Sequence, residues 1–105
     1  MKAKLQIVER INLLSVLPEK GNFATLRVVD DLRRKLAFTD EELTAFEMKI
    51  ETDRVLWNKE KDTEVEMEFG EFAEKLIVDT LKELDKKEML EAKHKSLYEK
   101  FVEKQ

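Results

Sequence analysis

Only two glycines and one proline interrupt these 105 residues. Glycine and proline are the strongest local breakers of regular structure, so a chain with so few of them favours long elements and short loops. Charged residues make up 42% of the sequence, against about 25% in ordinary domains. Leu, Glu and Lys are abundant and favour helix. We therefore expect a mostly helical fold, in one domain over residues 1–105.

Apolar residues recur at helical spacing in five segments of the chain. The first segment runs from Lys4 to Leu17 and ends at Pro18, because proline pushes the residue before it out of the α region. Thr39 and Glu42 match the capping box that begins a short third helix. The predicted helices cover residues 4–17, 23–36, 39–46, 71–86 and 90–103.

Between residues 48 and 69 the spacing of the apolar residues changes. Met48 and Ile50 alternate with charged residues, and Val55 and Trp57 alternate again after a short turn. In the segment Glu64–Phe69, glutamates and apolar residues alternate strictly, which is typical of a half-buried strand. The sequence therefore predicts an α+β fold, mostly helical, with about five helices and a small two- or three-stranded antiparallel sheet in the middle of the chain.

Charge is distributed unevenly along the sequence. Residues 1–38 carry a net charge of +4, residues 39–71 carry −8, and residues 72–105 are balanced, which gives −4 overall. Part of the acidic excess lies in the first turn of the third helix, where the helix dipole favours it. Glu64, Glu66 and Glu68 share one strand face. They could protect a sheet edge, or they could meet a basic surface such as the first third of another copy.

Basic residues on or near the second helix could clamp an anion, such as a nucleotide phosphate, or an acidic partner. Asp30 and Asp31 lie among them, and an ordinary solvated face is the alternative interpretation. Trp57 could pack in the core or contact a partner. The candidate residues for binding a ligand or partner are Lys20, Arg27, Arg33, Arg34, Trp57, Glu64, Glu66 and Glu68.

We expect neither a catalytic centre nor a metal site. The chain has no cysteine, which removes thiolate chemistry and disulfides. Ser96 is two residues from His94, and residues so spaced do not face each other on a helix. Glu91 and His94 have the spacing found in di-metal bundles, but those sites need two such motifs, and this chain has one histidine. The sequence therefore predicts a non-enzymatic protein without cofactor or metal.

Three predicted helices followed by strands match the order of a winged helix-turn-helix domain, whose third helix enters the major groove. Here the segment Thr39–Glu47, which includes the third helix, carries four acidic residues and no basic one, so nucleic-acid binding is disfavoured. No apolar run approaches the roughly 20 residues of a membrane helix, and the N-terminal segment is too charged for a signal peptide. We expect a cytoplasmic protein that contacts no membrane, and its rich apolar stripes favour a homo-oligomer.

A resemblance spans most of the chain and rests on three segments: Leu17-Pro-Glu-Lys-Gly-Asn-Phe23, Val55-Leu-Trp-Asn58 and Leu97-Tyr-Glu-Lys-Phe-Val102. Together these resemble a group of short uncharacterised accessory proteins of tailed phages and prophages. The resemblance implies a protein of the infected host's cytoplasm that acts by binding. It would inhibit a host protein, such as one of antiviral defence, or sequester a small anionic signal molecule. A phage structural or assembly component and a winged-helix-like transcriptional regulator are the alternatives.

Overall fold

The computed structural model describes residues 1–104, which form five α-helices and four short β-strands. The helices are α1 (Ile7–Val16), α2 (Phe23–Leu36), α3 (Asp40–Ala45), α4 (Glu71–Lys86) and α5 (Lys95–Phe101). The strands are β1 (Lys2–Leu5), β2 (Lys49–Ile50), β3 (Val55–Leu56) and β4 (Val65–Glu68). The predicted α+β, mostly helical class is confirmed. Within residues 1–104, no helix has both the length and the apolar character needed to span a bilayer.

The first residues form a strand rather than the start of a helix. The predicted helix over residues 4–17 is wrong at its beginning, because Lys2–Leu5 pairs antiparallel with Val65–Glu68 and α1 starts only at Ile7. The sequence Lys-Ala-Lys-Leu has period two, and its apolar residues are buried while its lysines are exposed. Glu9, in the first turn of α1, accepts a hydrogen bond at 2.9 Å from the N–H of Gln6, the residue just before the helix. This bond fixes where the helix begins.

The strands form two separate antiparallel pairs rather than the single sheet that the sequence predicted in the middle of the chain. The hairpin of β2 and β3 lies in the middle of the chain, where it was predicted, whereas β4 pairs with β1 instead of joining the hairpin. In this second pair, Lys2 lies opposite Glu68 and Lys4 lies opposite Glu66. Opposite charges placed across a strand pair contribute roughly 0.2–1 kcal/mol each. The pairing of β4 with β1 therefore joins the basic start of the chain to its acidic middle.

The predicted bounds of α2 and α4, residues 23–36 and 71–86, are confirmed, and a capping residue explains the start of α2. The Asn22 side chain accepts a hydrogen bond from the Thr25 N–H at 2.8 Å at the start of α2. The predicted capping box is present at α3, where Glu42 N–H donates to the Thr39 hydroxyl at 3.1 Å and Thr39 N–H donates to the Glu42 carboxylate at 3.0 Å. Both caps satisfy amides that a helix start leaves without a partner.

The last helix is shorter than predicted. The prediction covers residues 90–103, whereas α5 spans Lys95–Phe101 and follows a single 3₁₀ turn at Ala92–His94. Here the His94 ring caps the 3₁₀ turn, because its Nδ1 accepts a hydrogen bond from the Glu91 N–H at 3.0 Å. The separate 3₁₀ turn at Ala92–His94 therefore replaces the first turn of the helix that the spacing of apolar residues predicted.

The core lies between α1, α2, α4, α5 and the β1–β4 pair. Within it the rings of Phe69 and Phe101 meet edge to face, with centroids 5.3 Å apart. That geometry is one that aromatic pairs prefer. The side chains buried there with no measurable exposure are Leu5, Leu13, Leu36, Ile77, Leu81, Leu97 and Phe101.

Candidate anion-binding site

Arg10 of α1 is a buried cation, only 1% exposed. Its guanidinium donates to both carboxylate oxygens of Glu42, with Nη2 3.1 Å from Oε1. Nη2 also donates to the backbone oxygens of Leu36 at 3.0 Å and Ala37 at 2.8 Å, and the group lies 4.1 Å from the centroid of the Phe38 ring. The hydrogen bond from Arg10 lowers the pKa of Glu42, more than burial raises it. Arg10 therefore fixes the α2–α3 turn against α1 and is occupied by the protein itself.

Lys100 is the centre of a second polar cluster, which joins α5 to α1 and to the start of β4. Its Nζ lies 2.7 Å from Glu9 Oε1 and 3.0 Å from Glu64 Oε2, and it donates to the Lys4 carbonyl at 2.6 Å. Burial lowers the pKa of Lys100, but its hydrogen bonds to the two glutamates outweigh this and raise the pKa. Lys100 is thus a cation fixed in position.

Glu9 is the buried anion of the same cluster, with 3% of its surface exposed. Burial raises the pKa of its carboxyl group, but hydrogen bonds from the Gln6 N–H and from the Lys100 and Ser96 side chains outweigh this and bring the pKa below its usual value. A buried carboxylate is tolerated only where it is paired and hydrogen-bonded. The Glu9 carboxylate therefore needs the Lys100 ammonium as its partner, and this ion pair holds α5 against α1.

Lysines surround a cavity of about 350 Å³ beside this cluster. Four lysines and one glutamate give the lining a net charge of +3. The cavity is lined by Met1, Lys2, Ala3, Lys4, Glu64, Lys100 and Lys104. We call it the lysine cavity.

The lysines of the cavity differ in how firmly the protein itself occupies them. Lys2 lies 3.8 Å from Glu66 and Lys104 lies 3.0 Å from Glu74, and both lysine side chains are well exposed. Lys4 makes no ion pair among residues 1–104. Exposed ion pairs contribute only about 0–1 kcal/mol. Three of the four ammonium groups can therefore turn towards an anion at little expense.

The sequence analysis missed the lysine cavity because no local pattern encodes it. Residues Lys2 and Lys4 come from the outward face of β1, whereas Lys100 and Lys104 lie at the other end of the chain. Only the pairing of β1 with β4 and the packing of α5 bring them together. The strand-like alternation of the first residues was the one signal that could have indicated two lysines on one face.

The basic residues predicted around the second helix are exposed at the surface. Lys20 lies in the turn before α2, while Arg27, Arg33 and Arg34 lie on α2 itself. None of these four lines the lysine cavity. Arg27 stands 6.0 Å from the centroid of the Phe23 ring.

Two of the glutamates predicted as a binding face form ion pairs within the chain. Glu64 pairs with Lys100, and Glu66 lies 3.8 Å from the Lys2 ammonium. Glu68 lies opposite Lys2 in the strand register but forms no ion pair among residues 1–104. Trp57 is half-buried, and its Nε1 is buried without a hydrogen-bond partner among residues 1–104.

A second surface feature lies where α2 and α4 pack side by side. Phe23 at the start of α2 is 78% exposed, and Phe72 in the first turn of α4 is 77% exposed. Hollows of about 220 and 380 Å³ border Phe72, and Val28 lines both of them. Exposed apolar groups of this size are typical of interaction surfaces. We call the surface defined by Val28, Phe72 and Leu76 the α2–α4 face.

Comparison with known proteins identified no relative of the chain. No family model, no curated protein and no solved structure matches the chain. Within residues 1–104, no three His, Cys, Asp or Glu side chains are grouped so that they could hold a metal ion. The resemblance to phage accessory proteins stays a prediction, and the geometry and charge of the described residues carry the functional proposal.

Proposed function

We propose that this chain is a non-enzymatic accessory protein that acts stoichiometrically by binding a small anionic molecule in the lysine cavity. The observation that carries the proposal is the convergence of Lys2, Lys4, Lys100 and Lys104 on one cavity that contains a single glutamate. Sequestration of an anionic signal is one of the two actions that the resemblance to phage accessory proteins implies.

The charge arrangement supports an anionic ligand with several negative oxygens. Glu9, Glu64 and the Lys4 carbonyl take the three N–H donors of Lys100, so Lys100 contributes a fixed charge at the cavity wall rather than a hydrogen bond to the ligand. Lys4 and the weakly paired Lys2 and Lys104 supply mobile cations around it. Lysine binds phosphate as a point charge rather than as a planar fork. A phosphate-bearing molecule is therefore the chemical class that this lining fits.

The size of the cavity also suits a small molecule. Its volume of about 350 Å³ falls within the roughly 300–1,000 Å³ of ligand pockets. The lining also divides in two: Met1, Ala3 and the aliphatic stems of the lysines are apolar, while the lysine ammonium groups are cationic. A compact molecule with a phosphate group and an apolar or aromatic part matches that division.

Isothermal titration calorimetry with inorganic pyrophosphate and with ADP at low ionic strength tests the proposal. Replacing Lys4 and Lys104 together by Gln should weaken binding at least about tenfold, the loss of two charge-assisted contacts worth about 1.4 kcal/mol or more. Lys49→Gln with Lys59→Gln, two exposed lysines outside the cavity, is the matched control and should bind as wild type.

The α2 arginines provide the competing location. If Arg27→Gln with Arg34→Gln abolishes binding while the Lys4 and Lys104 variant binds normally, the anion site lies on α2 and the lysine cavity is dismissed. If wild-type protein binds neither probe, anion sequestration is rejected. Circular dichroism melting of each variant separates lost binding from lost folding.

The second candidate function is inhibition of a host protein. It is favoured by the pairing of exposed Phe23 with the Arg27 guanidinium, since aromatic and arginine side chains dominate the energetics of protein interfaces. Native mass spectrometry of the chain purified from infected cells separates the two candidates: a co-purifying protein favours inhibition, and a small bound anion favours sequestration.

A further inference from the structure

We propose that the α2–α4 face joins two copies of this chain in a symmetric dimer, with α2 of one copy lying over α4 of the other. This proposal concerns a surface separate from the lysine cavity and does not depend on the proposed function. It rests on three observations: the exposed ring of Phe72, the hollows beside it, and the opposite net charges of the two helices.

The aromatic ring is the first observation. Phe72 is more than three-quarters exposed on each copy, and Val28 and Leu76 continue the apolar surface between the helices. Phe72 projects between two hollows. One copy therefore presents both a protruding ring and the depressions that can receive a ring. A surface with both features can fit a second copy of itself, as a two-fold interface requires.

The net charges of α2 and α4 are the second kind of support for a second copy as the partner of this face. Four basic and two acidic residues give α2 a net charge of +2, and five acidic and three basic residues give α4 a net charge of −2. A nucleic acid would be repelled by α4, and a strongly basic protein would be repelled by α2. A second copy that places its α2 over α4 satisfies both helices at once.

The relative direction of the helices fixes the symmetry axis. Lys35 lines one hollow together with Glu71, and Thr25 lines the other together with Asp79, so α2 and α4 run antiparallel. A two-fold axis lying along the groove between them carries α2 across to face α4 and keeps each residue at the same height. An axis perpendicular to the helices would instead place α2 on α2, where like charges repel.

This symmetry makes specific contacts. Thr25 beside Asp79 and Lys35 beside Glu71 set Val28 level with Leu76 and Phe72 level with residues 32–34 of α2. Each Phe72 therefore packs on α2 of the other copy about one turn beyond Val28. At one end of the groove Lys35 approaches Glu71 of the other copy. At the other end Arg27, within one turn of Thr25 and Val28, approaches Asp79. Each contact occurs twice in the dimer.

Sedimentation velocity over a range from micromolar to millimolar concentration gives the first measurement. Wild-type protein should move from the 12.5 kDa of the single chain towards twice that mass. Phe72→Lys should weaken the association at least about tenfold, as loss of an aromatic anchor does. Ile50→Lys is the matched control, since Ile50 is 67% exposed outside this face, and it should leave association unchanged.

A charge-exchange experiment tests the axis. One variant carries Arg27→Glu and Lys35→Glu, which makes α2 acidic, and a second carries Glu71→Lys and Asp79→Lys, which makes α4 basic. Each variant alone should be monomeric, because α2 and α4 then carry the same sign. An equimolar mixture should form a heterodimer, in which each α2 again meets an α4 of opposite sign.

Either of two results overturns the proposal. One is a wild-type chain that stays monomeric at every concentration. The other is association that survives Phe72→Lys and both charge variants, which would place the dimer contact on another surface. Both outcomes leave anion binding by the lysine cavity standing, since calorimetry on wild-type protein and on the Lys4 and Lys104 variant measures it separately.

Discussion

At the residue scale, the fold depends on one cation that the sequence did not single out. Arg10 lies among the apolar residues of α1, where its charge would be costly without partners. Its partners come from the α2–α3 turn: the Glu42 carboxylate and the backbone oxygens of Leu36 and Ala37. The capping box that predicted α3 already fixed Glu42 in place. A charged residue inside an apolar stripe was the signal for a buried pair, but the sequence could not show which carboxylate it meets.

Replacing Arg10 by Met tests this role. The change removes a buried charge and leaves the Glu42 carboxylate and two backbone oxygens without their donor. Breaking one side of a buried pair costs about 3–5 kcal/mol, and we expect a loss near the lower value because the Glu42 side chain is 20% exposed. Urea unfolding followed by circular dichroism measures the free energy of unfolding.

The matched control is Arg54→Met. Arg54 also pairs with a glutamate, Glu51, at 2.6 Å, but its side chain is 64% exposed. An exposed pair of this kind contributes about 1 kcal/mol or less. If both arginine variants lose the same stability, burial does not set the importance of Arg10.

At the scale of elements, local signals predicted some segments well and others not. The starts of α2 and α4 were predictable because Asn22 and Gly70 come directly before long stripes of apolar residues. β1 was not, since a four-residue Lys-Ala-Lys-Leu segment fits either period. Its strand partner lies some sixty residues away along the sequence, and pairing over that separation leaves no local pattern. The lysine cavity depends on the same pairing, so it was equally invisible.

The contacts between elements should make stability depend on pH in a specific way. The pKa values of Glu9 and Glu42 lie below the usual value of a glutamate, because Lys100, Arg10 and backbone N–H groups stabilise their charged forms. Carboxyl groups with a lowered folded pKa bind fewer protons than the unfolded chain in this range. Their stabilisation is therefore fully present above about pH 4.5 and is lost as pH falls through the folded pKa values.

Lys100 acts at the opposite limit. Its folded pKa is raised above the usual value of a lysine, so its contribution is complete below that usual value and is lost as pH rises through the folded pKa. Thermal melting from pH 2 to pH 12 should show a plateau with a fall at each end. Glu42→Gln should have a lower plateau and a shallower acid limb. An acid limb as steep as that of wild type would show that the Arg10–Glu42 pair does not control acid stability.

At the scale of the whole molecule, part of the charge polarity of the sequence becomes contact within the chain. The basic first segment meets the acidic middle through Arg10–Glu42 and through Lys2 beside Glu66, and the last segment meets it through Lys100–Glu64. What is left over is local: a lysine cavity at β1 and opposite net charges on α2 and α4. The sequence could show that opposite charges were available, but only the fold decides which of them meet and which face outward.

That distribution leads to a prediction about nucleic acid, which separates the binding functions from a winged-helix-like regulator. The chain carries −4 overall, and α3, which would enter the groove in such a regulator, has three acidic residues in its first turn. Because phosphate contacts supply most non-specific affinity, we expect no retention of duplex DNA at low salt. Electrophoretic mobility shift at 50 mM salt, about the low end of the usual range, is the measurement. Retention that falls steeply as salt is added would favour the regulator. Asp40→Lys with Glu41→Lys then identifies the element, since tighter binding by that variant would place DNA against α3, and unchanged binding would place it on the lysines of β1 or the arginines of α2.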